Sequence, residues 1–132
     1  MITIRKNEPV IRMVAGAEQL NVNAQVFGGW ILSQMDHACG LIGESISRGA
    51  VTTAAVKEVR FIQPILMGER VSIYLDEVRV GNSSMHISLK VFSENRGTGT
   101  ITPAEEGTFI VVAIDESGKP RKIGPDWASY IN

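Results

Sequence analysis

Residues 21–48 read NVNAQVFGGWILSQMDHACGLIGESISR. A loop rich in side-chain amides runs into Phe27-Gly28-Gly29, and from Trp30 about five helical turns follow without a proline. Stepped at about 100° per residue, Ile31, Met35, Ala38, Ile42 and Ile46 fall on one arc, widened by Leu32 and Cys39. The spacing predicts one long helix with a core-facing stripe, ended by Arg48-Gly49. Asp36 borders that stripe on the side of Gly40 and Gly43, where side chains are missing and a backbone or thin ligand could come close. The plain alternative is a solvated acid beside glycines that serve packing.

The entry to the helix carries the first chemical signal. Gly28 and Gly29 leave the first-turn amides uncovered, and unpaired N–H groups at the positive end of a helix dipole suit an oxyanion. A carbonyl held there could be attacked by a carboxylate farther along the helix, or by water that the carboxylate activates. Two glycines before a helix also serve as an ordinary tight turn. Asn21, Asn23 and Gln25 read either as capping and turn residues or as substrate contacts.

Outward from the helix the pattern turns to strands. Val10 to Val14 precedes it, and Val51 to Ile62, Val71 to Val80 and Met85 to Phe92 follow, separated by Pro64, Gly68 and Gly81-Asn82. Met85, Ile87, Leu89 and Val91 alternate with His86, Ser88 and Lys90, the mark of a strand with one buried face. In the preceding segment the apolar phase slips at Asp76-Glu77, which predicts a bulge. The apolar run from Thr108 to Ile114 predicts a central strand covered on both faces. Residues Glu94 to Glu106, rich in glycine and threonine, read as a mobile loop. One apolar-faced helix with hairpin-connected strands implies an α+β layering, an antiparallel sheet wrapped around the helix.

The chain has 132 residues, with 44% apolar and 20% charged, the balance of a globular protein, and its length predicts one domain over residues 1–132. Thirteen basic and fourteen acidic residues give a net charge of -1, so nothing in the balance drives binding to nucleic acid or an anionic membrane. The single cysteine, Cys39, predicts a buried free thiol and a reducing compartment. No secretion signal or spanning stretch is read, which predicts a cytoplasmic protein. Two histidines, His37 and His86, and one cysteine are too few for a metal site, and no GxSxG elbow or phosphate-binding glycine pattern exists. His37 points about 100° away from Asp36, and His86 reads as an exposed surface residue.

The string from Asn21 to Asp36, with FGGW and LSQMD, resembles the signature of hotdog-fold acyl-CoA thioesterases, most closely the bacterial YciA-type enzymes. SRGAVTTAAV, FIQPILMGERV, GNSSMHISLKV and VVAIDESGKPRKI extend the similarity from about Met13 to Ile123. The resemblance implies the hotdog fold, pairing of subunits edge to edge into a dimer, and further assembly into tetramers or hexamers. It implies hydrolysis of an acyl-CoA thioester with no metal or redox cofactor, coenzyme A being part of the substrate.

Residue by residue, the resemblance makes Asp36 the nucleophile or general base, and Asn21 a holder of substrate or water from the opposite subunit. Gly28 and Gly29, with Trp30, would polarise the carbonyl. The backbone around Ala55, Val56 and Lys57 would meet the pantetheine arm, and the turn at Asn82, Ser83 and Ser84 the nucleotide end. Arg48, Arg60 and Arg96 are phosphate candidates by charge alone. One position departs: relatives commonly have glycine where this chain has Ala24, which matters if the loop needs positive φ there. The loop after Phe92 is also shorter than in YciA-type chains and lacks their paired lysines. The rival class is a non-catalytic acyl-CoA-binding hotdog that senses ligand. Regulatory members of that kind carry a DNA-binding helix pair, for which neither the residues before Val10 nor those after Trp127 would make room. A hotdog dehydratase would want a histidine at the helix start, where Phe27, Gly28 and Gly29 stand.

Overall fold

The computed structural model describes residues 3–132. Its main elements are β1 (Ile11–Val14), α1 (Gly28–Ser47), β2 (Val51–Phe61), β3 (Arg70–Val80), β4 (Ser84–Glu94) and β5 (Ile101–Ala113). The five strands form one antiparallel sheet in the order β1-β3-β4-β5-β2. Against one face lies α1, burying Ile31, Met35, Ala38, Cys39, Ile42 and Ile46, the arc that the spacing predicts. Met85, Ile87, Leu89 and Val91 of β4, with Phe109 and Val111 of β5, close the core from the sheet side. One helix wrapped in an antiparallel sheet is the hotdog fold that the resemblance implies.

The bulge falls where the apolar phase slips: Leu75 faces Leu89 and Glu77 faces Ser88, so Asp76 is the extra residue. Residues 94–106 are not a mobile loop. β5 begins at Ile101, and the reversal is confined to a turn in which Asn95 Oδ1 accepts from the N–H groups of Gly97 and Thr98. Threonine suits a strand once a neighbour supplies the ladder, and here β4 supplies it. The run 108–114 does lie in an interior strand, but only its α1 side is closed. Phe109, Val111 and Ala113 are buried, whereas Ile110 and Val112 are half-buried on the outer face.

The helix begins two residues before Trp30, at Gly28, with Phe27 as its N-cap. At its other end Arg48, not Gly49, takes the left-handed conformation, with φ 59°. Two contacts hold this arginine end in place. The Arg48 guanidinium sits 3.4 Å from the centroid of the Tyr130 ring, and Arg121 donates to the carbonyls of Ser47 and Ala50 at 2.8 and 3.1 Å. Gly49 is needed because a Cβ there would stand 2.6 Å from Arg121 Nη2.

β2 is an edge strand of 11 residues, and apart from half-buried Val51 and Val59 its residues are exposed. Such an edge, with unpaired N–H and C=O groups along its length, is a template for another strand.

Candidate active site

The loop before α1 is organised by Asn21. Its Oδ1 accepts from the N–H groups of Asn23 and Gln25 at 2.8 and 3.1 Å, and its own N–H donates to the Gln25 carbonyl at 2.7 Å. The turn this makes puts Ala24 at φ 58°, so the position does demand the left-handed region and alanine occupies it at a cost of about 1 kcal/mol. Asn21 Oδ1 is therefore committed to its own loop. Its amide nitrogen has no partner among the described residues.

At the helix entry, Trp30 and Ile31 both donate to the Phe27 carbonyl, at 3.0 and 3.4 Å, and Phe27 N–H is taken by Gln19 at 2.7 Å. The N–H groups of Gly28 and Gly29 have no partner among the described residues. Trp30 does not share this freedom, and its side chain packs half-buried against the core. The absence of side chains is used by two rings: a Cβ on Gly28 would meet Phe61 at 3.0 Å, and one on Gly29 would meet Phe27 at 3.3 Å. Phe61 is itself 63% exposed on the last residue of β2.

Asp36 is exposed on α1, and its Oδ1 accepts a 2.5 Å hydrogen bond from the Thr53 hydroxyl of β2. It is thus fixed against the open edge of the sheet rather than swinging in solvent. A Cβ on Gly40, one turn on, would meet nothing within 4 Å, so space remains beside the carboxylate; Gly43 instead packs on Val51 and Val111. Cys39 is wholly buried, and its thiol is pushed well above the usual range by burial first and the Asp36 charge second. That makes it a packing residue without nucleophilic character.

Gly28 and Asp36 are eight residues apart, about 12 Å along the helix. No carbonyl can touch both on one chain. The other residues taken from the resemblance also scatter. Val56 is 47% exposed on the free edge, and Lys57 is the extra residue of a bulge between Val56 and Glu58. Ser83 and Ser84 sit at the far end of the sheet, where Ser84 pairs with Val112, whereas the helix entry lies by the Phe61–Glu105 pair. Of the basic candidates, Arg48 stacks on Tyr130 and Arg60 pairs with Glu106 at 3.1 Å.

Two features escape a reading of the sequence. Thr53 positions Asp36 through a pairing that only the fold creates. Glu105, placed by composition in a loop, is 5% exposed in β5 and lines a cavity of about 280 Å³ with Asn21, Gln25, Gly28 and Gln63. Parity held the signal: 105 is in phase with Gly107, Phe109, Val111 and Ala113, all buried. Burial pushes the Glu105 carboxyl up to about 7. His86 is likewise not simply exposed, since its Nδ1 is buried without a partner, in an outer-face hollow with Lys57 and Arg79.

The hotdog sheet thus carries a free edge, an open-amide helix start and a carboxylate on that helix held by Thr53. The thioesterase superfamily profile matches residues 23–100, and the chain belongs to that superfamily. It is 38% identical over 119 residues to an uncharacterized acyl-CoA thioester hydrolase of Buchnera aphidicola subsp. Schizaphis graminum, covering 88% of each chain. With the acyl-CoA thioester hydrolase YciA of Salmonella typhimurium it shares 34% over 121 residues, covering 89% and 91%. The hexameric thioesterase y2039 of Yersinia pestis superposes with a TM-score of 0.83 at 34% identity, covering 89% of this chain and 95% of that one. Cj0915 of Campylobacter jejuni, a hexameric hotdog-fold thioesterase, superposes at 0.87 with 28% identity, covering 94% and 96%.

Proposed function

We propose that the protein is an acyl-CoA thioester hydrolase, converting acyl-CoA and water to a free acid and coenzyme A, with Asp36 as nucleophile or general base. One observation carries the site assignment. The free strand β2 holds both halves of the site, Asp36 at Thr53 near one end and the helix entry at Phe61 at the other. Antiparallel pairing of two β2 strands about a two-fold axis near Val56 carries each chain's Asp36 toward the other chain's Gly28 and Gly29. The separation of about 12 Å within one chain is then no obstacle.

In this arrangement the thioester carbonyl lies against the Gly28 and Gly29 amides, and the amide nitrogen of Asn21 holds substrate or water beside it. Charge developing on the carbonyl oxygen is met by donors already in place, worth on the order of 3 kcal/mol. Asp36 of the opposite chain attacks the carbonyl carbon or takes a proton from water. Val56 and Lys57 meet the pantetheine arm from the face of the paired strands, and the turn at Ser83 and Ser84 meets the nucleotide. No metal or redox cofactor takes part. The dimer is the unit of a larger homo-oligomer, and the hexameric relatives support three dimers. Among the described residues no helix is long and apolar enough to cross a membrane.

The test is a hydrolysis screen over acyl-CoA chain lengths, following thiol release. Native protein turns over at least one ester, and Asp36→Asn loses at least 100-fold in kcat/KM. Binding without thiol release by native protein would mean a non-catalytic sensor. Full turnover by Asp36→Asn would move the chemistry to another residue.

A further inference from the structure

The mechanism above leaves one buried polar group without a task. Glu105 is 5% exposed and its Oε2 has no hydrogen-bond partner. In the sheet it lies between Phe61 of β2 and Val91 of β4, both apolar. The adjacent charges on this stretch, Arg60 and Glu106, satisfy each other outside at 3.1 Å. The rest of the cavity wall contributes amides, from Asn21, Gln25 and Gln63, and apolar surface including Ile31 and Phe61, with no cation.

A carboxyl buried without a partner is costly, and such a group in a native protein calls for an explanation. The cavity offers one. Gly28 lines both the open-amide site and this cavity of about 280 Å³, so a carbonyl seated on the Gly28 amide directs its acyl chain alongside or into the cavity. The volume suits a chain of a few carbons.

We propose that this cavity is the acyl subsite and that Glu105 makes it select short acyl groups carrying a hydroxyl near the carbonyl over plain alkyl groups of equal length. The proposal rests on the thioesterase reading above. A carboxyl accepts a hydrogen bond from a hydroxyl whether ionised or neutral, and when neutral it also donates one. An alkyl chain would leave Glu105 unpaired in the filled cavity. Sites built to hydrogen-bond a substrate group reject the analogue that lacks it for this reason.

The test compares 3-hydroxybutyryl-CoA with butyryl-CoA by kcat/KM, in native protein, Glu105→Leu and Glu105→Met. Binding of both esters to Asp36→Asn is measured in parallel by calorimetry. Native protein favours the hydroxy ester at least tenfold, Glu105→Leu inverts the ratio, and Glu105→Met, which is also apolar, reduces it at least threefold. Equal kcat/KM for the two esters in native protein overturns the inference while leaving the hydrolase reading intact, and so does a ratio unchanged in Glu105→Leu. Should Glu105→Leu fail to fold, an unchanged ratio in Glu105→Met overturns it. If neither ester releases thiol, the wider chain-length screen decides the hydrolase reading and binding decides the subsite: tenfold tighter binding of the hydroxy ester upholds it, equal affinity overturns it.

Discussion

Glu105 couples the stability of this protein to pH in an unusual direction for an acid. In the unfolded chain the carboxyl titrates near 4.5, and burial pushes it up to about 7 in the fold. Between those values the unfolded chain has released a proton that the folded chain still holds. Stability therefore falls as pH rises, being fully present below 4.5 and lost by about 7, a swing of roughly 3 kcal/mol. Glu105→Gln removes the charge while keeping the shape. Thermal unfolding from pH 4.5 to 8 checks this: the variant gains most over native protein above pH 7, and equal melting temperatures across the range would contradict it.

At the scale of elements, the end of α1 depends on one side chain from the far end of the chain. Arg121 donates four hydrogen bonds, to Ile114 O, Ser47 O, Ser47 Oγ and Ala50 O, between 2.8 and 3.1 Å. Carbonyls at a helix end lack intrahelical partners, and a planar five-donor fork can serve several of them at once. Arg121→Ala is expected to lower stability by about 1–3 kcal/mol, and Arg121→Lys to recover little of it, as read by urea unfolding. This clamp was invisible in residues 115–123, where the arginine stands in a polar stretch with no periodicity to mark it. The start of α1 was more legible, because glycine, the amide-rich loop and the apolar arc all stand within one contiguous string. Its boundary still shifted to Gly28, because Phe27 serves as N-cap through its backbone alone.

At the scale of the molecule, β2 is the feature that one chain leaves unfinished. An edge strand of 11 residues carrying exposed Val56 and Phe61 does not suit a monomer. Val56→Asp places two carboxylates close to each other across the proposed two-fold, with the strand's pairing to β5 kept. The expected outcome is dissociation to smaller species in sedimentation velocity together with loss of turnover, because each proposed site draws Asp36 and the Gly28 amides from different chains. Retained assembly with lost turnover would confine Val56 to contact with substrate. Retained turnover in a dissociated chain would place the whole site within one subunit.

The sequence by itself determined what local periodicity can encode: one amphipathic helix from its 3.6-residue arc, the alternation of β4, and the bulge at Asp76 from a broken phase. It also supplied the residue types of the proposed site, since Asp36, Gly28 and Gly29 share one string whose resemblance to thioesterases is specific. Only the tertiary structure decided which strand lies at the edge, that Thr53 holds Asp36, and that Glu105 is buried beside Asn21 and Gly28. These are contacts between residues 17 to 84 positions apart, fixed by strand order and register. Strand order is chosen by the global burial of apolar faces, and no local window of sequence contains it.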